Sequence, residues 1–315
     1  MGHLLLSNSI TMQPFRLSLS DGGFVAGAYS TPPLSDSPAT HRPLIVALHG
    51  GTYDHQYFEA TPNYSASLSS VSYGVPFIAI NRPSYGGTSS ILPIPEGSDF
   101  NQETGRRLHH HILPKLWSEI GAPSQCNCIV LLCHSLGVMG GVVAAALHAQ
   151  DEKPLYPLGG LIASDMGDNL RSKRDVDPHA KDEHSLVPTE AKDAIMFKPG
   201  TAPRKTFEQS ERLNTPSPRA ETEQFVSTWL PVWKEKWAAH VMAPVMFSLV
   251  EDDCFFLADE QEIDTSVRAF KNSSRVDGSL IRGAPHCMEL SYWSQGWYAW
   301  CFGFALECAA SFAKV

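Results

Sequence analysis

The sequence predicts an α/β protein: a doubly wound, mostly parallel sheet carrying an inserted helical cap. Three observations carry that expectation. Five apolar runs, PLIVALHGG (43–51), VPFIAINRP (75–83), CIVLLCHS (128–135), LGGLIASD (158–165) and APVMFSLV (243–250), are continuous rather than alternating, which is how strands buried on both faces look. Segments of helical spacing separate most of them, the rhythm of strand–helix–strand units. Between the fourth and fifth runs, residues 166–238 turn charged and proline-dotted. Open α/β sheets place their sites at the carboxyl edge of the strands, and a cap inserted there would cover such a site.

The elements follow in order. Residues 14–30 alternate around Asp21-Gly22-Gly23 and predict an antiparallel hairpin. A helix is expected over 54–70 and another over 101–120, where Pro114 predicts a kink. The small-residue stretch LGVMGGVVAAALHA (136–149) predicts a helix packed very closely on the sheet. In the cap, MFKPGT (196–201) and WLPVWKEKW (229–237), with Trp229 and Trp233, argue for an ordered insertion rather than a loose loop. Residues 258–271 are expected to be helical, 274–286 to hold a last strand and loop, and 289–312 to close the chain as an aromatic helix. The expected division is a core of residues 1–165 and 239–315 with a cap of residues 166–238. The last helix is aromatic almost all round, so it is buried somewhere: in the core, in a homodimer interface or against lipid.

Composition narrows the function classes. The chain has 315 residues, 43% hydrophobic and 18% charged, which supplies a sizeable core and excludes global disorder. A net charge of −9 with no Lys/Arg stripe argues against a nucleic-acid partner. Seven cysteines, most in apolar runs, fit free buried thiols and a reducing, cytoplasmic setting. Cys126 and Cys128 form a C-x-C with no second cluster, a poor zinc site. His109, His110 and His111 are consecutive on a helix, so they point different ways and make a poor shared metal site. The N-terminus MGHLLLSNSI is a poor signal peptide, the terminal AKV is not the usual peroxisomal address, and no window reaches the ~18 apolar residues of a membrane span. No phosphate-binding G-x-x-x-x-G-K-[ST] occurs, and no cofactor is implied.

The chemistry centres on CHSLG at 133–137. This is a G-x-S-x-G nucleophile elbow with Cys133 in place of the first glycine. Its context, a buried strand followed by a small-residue helix, is the one in which a tight turn lifts a serine hydroxyl above the sheet. Ser135 is therefore the candidate nucleophile, with the Leu136 N–H at the helix start as one oxyanion donor. The H-G-G loop after the first parallel strand would supply the other donor from Gly51, with Thr52 as the alternative. Tyr53, His55, Tyr85 and His134 are further candidates to face substrate. Among 13 histidines, His286 is distinguished by its place in RGAPHCMEL between the last strand and last helix. It follows the serine and the acid candidates in the order Ser, acid, His expected of this architecture. EDD at 251–253 follows a buried strand; the spacing selects Asp253, with Asp252, Glu251 and, past the preceding strand, Asp165 remaining open.

Taken together, H-G-G (49–51), N-R-P-S-Y-G-G-T (81–88), C-H-S-L-G (133–137), E-D-D (251–253) and G-A-P-H-C (283–287) resemble the α/β-hydrolase fold superfamily over most of the chain. Asn81, Ser84, Cys133 and Val250 depart from its usual motifs. The H-G-G-T-Y-D-H-x-Y-F and G-A-P-H-C-M-E-L-S runs are more narrowly similar to hydrolases of fungal secondary-metabolite clusters, including host-selective toxin pathways. The resemblance implies a Ser135–His286–Asp253 site acting through an acyl-enzyme on an ester, lactone or thioester. The aromatic C-terminal half and the cap suggest an apolar small-molecule substrate. The alternatives are a cyclase or lyase using the same triad without net hydrolysis, and a catalytically silent binding protein on the same fold. A nucleophilic aspartate would signal dehalogenase or epoxide-hydrolase chemistry; the elbow carries serine.

Overall fold

A computed structural model describes residues 12–172 and 182–313. The expectations for residues 1–10 and for Lys314 and Val315 of the terminal tripeptide lie outside the described residues, as do residues 173–181 of the insertion.

The hairpin forms as expected, from β1 (Gln13–Ser18) and β2 (Phe24–Ser30) paired antiparallel around the turn. The continuously apolar runs become β3 (Pro43–Leu48), β4 (Phe77–Ile80), β5 (Cys128–His134), β6 (Leu158–Ser164) and β7 (Val245–Val250), each buried along its whole length. Strand β8 (Val276–Ile281) closes the sheet at its far edge and is only partly buried. The eight strands lie in the order β1-β2-β4-β3-β5-β6-β7-β8. Every pairing from β4 to β8 is parallel, while β2 pairs antiparallel with β1 and β4.

Burial on both faces explains the unbroken apolar runs. In β3, Leu44, Val46 and Leu48 enter one core, whereas Ile45 and Ala47 enter the other. Helix α1 (Ala66–Tyr73) and helix α10 (Ser294–Phe312) cover the Ile45 face; α4 (Gly137–Gln150) and α9 (Glu260–Ala269) cover the Leu44 face, and α2 (Phe100–Arg107) packs against α4. Helix α10 buries Trp297, Phe302 and Phe304 in the core and leaves Trp300 exposed.

Two segments differ in detail from the sequence expectation. Residues 54–70 are not one helix. Asp54 caps a single 3₁₀ turn, His55–Phe58, by accepting from the Gln56 N–H. A short antiparallel pairing of Glu59–Thr61 with Tyr64–Ser65 follows, and α1 starts only after Ser65 caps it. The Pro62-Asn63 turn and local Ser and Asp hydrogen bonds compete with the helix there. At Pro114, α2 continues through a π-helical stretch, Leu108–Ile112, into α3 (Leu113–Leu116) and a second π stretch, Trp117–Gly121. The wider turns carry the chain past a residue with no N–H.

Between β6 and β7, residues 166–238 hold α5 (Thr189–Met196), α6 (Arg204–Phe207), α7 (Arg219–Thr228) and α8 (Trp233–Lys236), with His184–Ser185 paired to Ser217–Pro218. Trp229 and Trp233 stack with centroids 6.0 Å apart and are buried. No helix among the described residues is long and apolar enough to cross a membrane.

Candidate active site

Parallel register brings the strand ends to one edge: Leu48 lies opposite Cys133 and Ile80, Cys133 opposite Ala163, and Ser164 opposite Ser248. Four loops leave that edge through residues of positive φ, namely Thr52 (64°), Ser84 (69°), Ser135 (51°) and Asp165 (58°). A non-glycine residue in this region costs about 1–3 kcal/mol and persists only where its surroundings hold it. Ser135 is held by its N–H donating to the Ser164 carbonyl at 2.8 Å and its own carbonyl accepting from Val138 N–H at 2.9 Å. The turn sets the hydroxyl above the sheet, and α4 begins two residues later.

His286 comes from the loop between β8 and α10. Its Nε2 lies 3.0 Å from Ser135 Oγ and its Nδ1 2.6 Å from Asp253 Oδ2. The other Asp253 oxygen accepts the Phe255 and Phe256 N–H groups at 2.7 and 2.9 Å. All three side chains are buried, and Phe255 stands edge-on to the His286 ring at 4.9 Å. Burial pushes the Asp253 carboxyl up, but His286 and the two backbone donors outweigh it and hold it below the usual carboxylate range.

The other acids lie elsewhere. Asp252 is half exposed and paired with Lys198, and Glu251 meets Arg282 at 2.9 Å. Asp165 is fully buried beside His134, with Nδ1 to Oδ2 at 3.5 Å; burial raises its carboxyl well above the ordinary range. Among the described residues, Asp253, Cys254 and His286 are the one cluster of metal-ligating types. Two of them are engaged with each other in the arrangement above.

A model of the alpha/beta hydrolase family matches residues 45–296. The chain belongs to this family. The sheet order and the serine on a strained strand-to-helix turn fit the architecture of this fold. Comparison with curated proteins finds no match. Among solved structures, the chain is similar to an N-acyl homoserine lactonase complexed with N-hexanoyl homoserine lactone (15% identity, 94% of this chain and 98% of that one, TM-score 0.61). It is also similar to the thioesterase domain from the curacin biosynthetic pathway (12%, 94% and 99%, 0.57) and to an esterase from Thermogutta terrifontis (16%, 94% and 99%, 0.54).

A cavity of about 220 Å³ opens over Ser135 and His286. Of the residues singled out in the sequence, Gly51, Thr52, Tyr53, His134 and Leu136 line it; His55 and Tyr85 do not. His55 is turned to Asn81 Oδ1, at 2.7 Å from its ring, and Tyr85 is buried against Glu221. The N–H groups of Gly51 and Leu136 have no protein acceptor among the described residues. The Thr52 N–H, by contrast, is taken by Ser217 Oγ at 2.8 Å and its carbonyl by Thr215 N–H at 2.8 Å.

The rest of the wall comes from the 166–238 segment, where Val187, Ile195 and Met196 stand beside the hydroxyls of Ser185, Ser217 and Thr222, and from Phe255 in the loop after β7. Lys192 is the charged residue there, buried with its ammonium 4.5 Å over the Tyr53 ring and donating to the Leu213 carbonyl at 3.2 Å. Burial lowers its pKa. Sequence reasoning missed these residues, because nothing local marks which side chains of an inserted helix turn inward.

Proposed function

We propose that this hydrolase cleaves an ester, lactone or thioester of an apolar small molecule through an acyl-enzyme on Ser135. The observation that carries the reading is the Ser135–His286–Asp253 chain of contacts, 3.0 and 2.6 Å, at a serine held in positive φ beneath an apolar cavity. Ser135 Oγ attacks the carbonyl carbon while its proton passes to His286 Nε2. The carbonyl oxygen becomes an oxyanion between the free N–H groups of Gly51 and Leu136; each such donor is worth about 3–4 kcal/mol in the transition state. His286 then protonates the leaving alkoxide or thiolate as the C–O or C–S bond breaks. In the second half, water gives a proton to His286 and its oxygen to the acyl carbon. Collapse returns the proton to Ser135 and frees the carboxylic acid. Asp253 keeps the Nδ1–H of His286 in place throughout. Thr52, already engaged with Ser217, is set aside as an oxyanion donor.

In this reading residues 166–238 form a cap that supplies the apolar wall. The resemblance of the H-G-G-T-Y-D-H and G-A-P-H-C runs to hydrolases of secondary-metabolite clusters extends the proposal to an intermediate of that kind. The cytoplasmic setting expected from the free thiols is part of it as well; all seven cysteines are unpaired in the structure.

Intact-mass labelling with a fluorophosphonate tests the site. A single adduct on the wild type, absent from Ser135→Ala and slowed in His286→Ala, is expected. A folded wild type that takes no adduct overturns the reading in favour of a binding role.

A further inference from the structure

Arg82 and Glu221 are both fully buried and paired in a two-pronged ion pair, although they lie on different parts of the molecule: Arg82 follows β4 and Glu221 sits in the first turn of α7. The guanidinium has a third task, donating from Nη2 to the Gly50 carbonyl at 3.2 Å. His49 joins it there. Its Nε2 accepts the Arg82 backbone N–H at 3.2 Å, which leaves Nδ1 as the protonated nitrogen, and Nδ1 lies 2.8 Å from the same Gly50 oxygen. Burial holds the His49 ring neutral, consistent with that tautomer. On the other side, Tyr85 donates its hydroxyl to Glu221 and packs its ring 4.5 Å from the Arg82 guanidinium.

The consequence lies in the peptide geometry. The Gly50 carbonyl and the Gly51 N–H belong to one planar trans unit and point in opposite directions. Fixing the oxygen therefore fixes the direction of the N–H. A cation on the oxygen also polarises the unit and makes its N–H a stronger donor. The next peptide is held as well, through the Thr52 N–H on Ser217. The donor proposed for the oxyanion is thus clamped on both flanks, and on both flanks the clamp ends on the inserted segment, at Glu221 and Ser217.

We infer that Glu221 is a positioning residue for the reaction: from the cap, through Arg82, it orients and polarises the Gly50–Gly51 peptide, so that the oxyanion site is complete only with the cap docked. The inference rests on the proposed function and deepens it. Arg82 carries the effect and Ser217 supports it. Arg82 and Glu221 lie outside the cavity wall, whereas Ser217 lines it.

A pair of ligands reads the effect apart from simple loosening of the fold. A trifluoromethyl ketone adds to Ser135 and places an oxyanion in the site, whereas the matching methyl ketone only fills the cavity. In Glu221→Gln the trifluoromethyl ketone should bind about ten-fold or more weakly and kcat for p-nitrophenyl butyrate should fall by a similar factor. Methyl ketone affinity and KM should stay within about two-fold. Arg82→Lys, which keeps the charge but cannot span Glu221 and the Gly50 oxygen, should behave alike. Equal losses for both ketones, or no loss for either, would overturn the inference. Should Glu221→Gln fail to fold, Ser217→Ala leaves the ion pair intact, releases the Thr52 N–H and removes one hydroxyl from the cavity wall, an effect that the methyl ketone reads separately. It should show the same split at smaller size, and unchanged kcat and ketone affinities would again overturn it. Absence of a fluorophosphonate adduct on the wild type is a separate result, since it removes the acyl-enzyme reading itself.

Discussion

The Cys133 thiol fills the space that a side chain at residue 141 would need: a Cβ on Gly141 would stand 2.4 Å from Cys133 Sγ. Cys133 replaces the glycine that usually opens the nucleophile elbow, and its bulk is absorbed one turn into α4 instead. The helix still approaches the sheet closely, because a Cβ on Gly137 would fall 2.6 Å from the Leu48 carbonyl oxygen. The departure from the motif is therefore matched within the same strand–helix unit, and Ser135 keeps its positive φ.

That pairing predicts a coupled effect on stability. Gly141→Ala alone should destabilise by about 1–3 kcal/mol through overpacking. Adding Cys133→Ala should recover much of the loss, since the Cys133 Cβ itself stands 3.5 Å from the new carbon. Denaturant midpoints of the two single variants and the double variant measure the coupling; simple additivity would show that the two sites do not share the space.

The three acids after β7 should separate cleanly by activity. Asp253→Asn removes the carboxylate on His286 Nδ1 and should lower kcat about a thousand-fold or more. Asp252→Asn breaks only an exposed contact to Lys198 and should leave kcat within about two-fold. Ester hydrolysis at saturating substrate decides between them, and the reverse ranking would move the acid to Asp252.

The apolar wall should set acyl size. Met196→Trp narrows the cavity, and Met196 is none of the hydrogen-bond partners of His286 or Asp253. The kcat/KM for long-chain esters should fall about ten-fold or more relative to the acetate. A uniform loss across chain lengths would place the acyl group elsewhere.

His109 should make the protein acid-sensitive in a defined window. It is buried, with Tyr156 Oη at 3.1 Å and Asp151 at 3.2 Å. Burial and then the neighbouring His110 pull its pKa from 6.5 down to about 4, against the pull of Asp151. The unfolded chain then binds a proton that the folded chain refuses. Stability is complete above the unfolded value of 6.5 and is lost as pH falls towards about 4. The loss attributable to this group is at most about 3 kcal/mol. His109→Gln should flatten that part of the Tm-against-pH curve relative to wild type; parallel curves would assign the acid sensitivity to other groups.

The fold class was legible in the amino-acid sequence, which also named the residues proposed as the triad. Unbroken apolar runs can mean only strands covered on both faces or short buried helices, and their length and terminal glycines select strands; the order of serine, acid and histidine then follows the strand ends. Within EDD, spacing preferred Asp253 but left its neighbours open. The decision needed the tertiary structure, because three adjacent carboxylates differ only in which one the turn directs inward. The contribution of residues 166–238 was illegible for the same reason. Glu221 lies in RAETEQFVST, a charged helix that reads as a solvated face, and its partner Arg82 is 139 residues away. Whether a carboxylate meets water or a buried guanidinium is settled by packing between elements far apart in the chain, and local patterns of residue type carry no record of it.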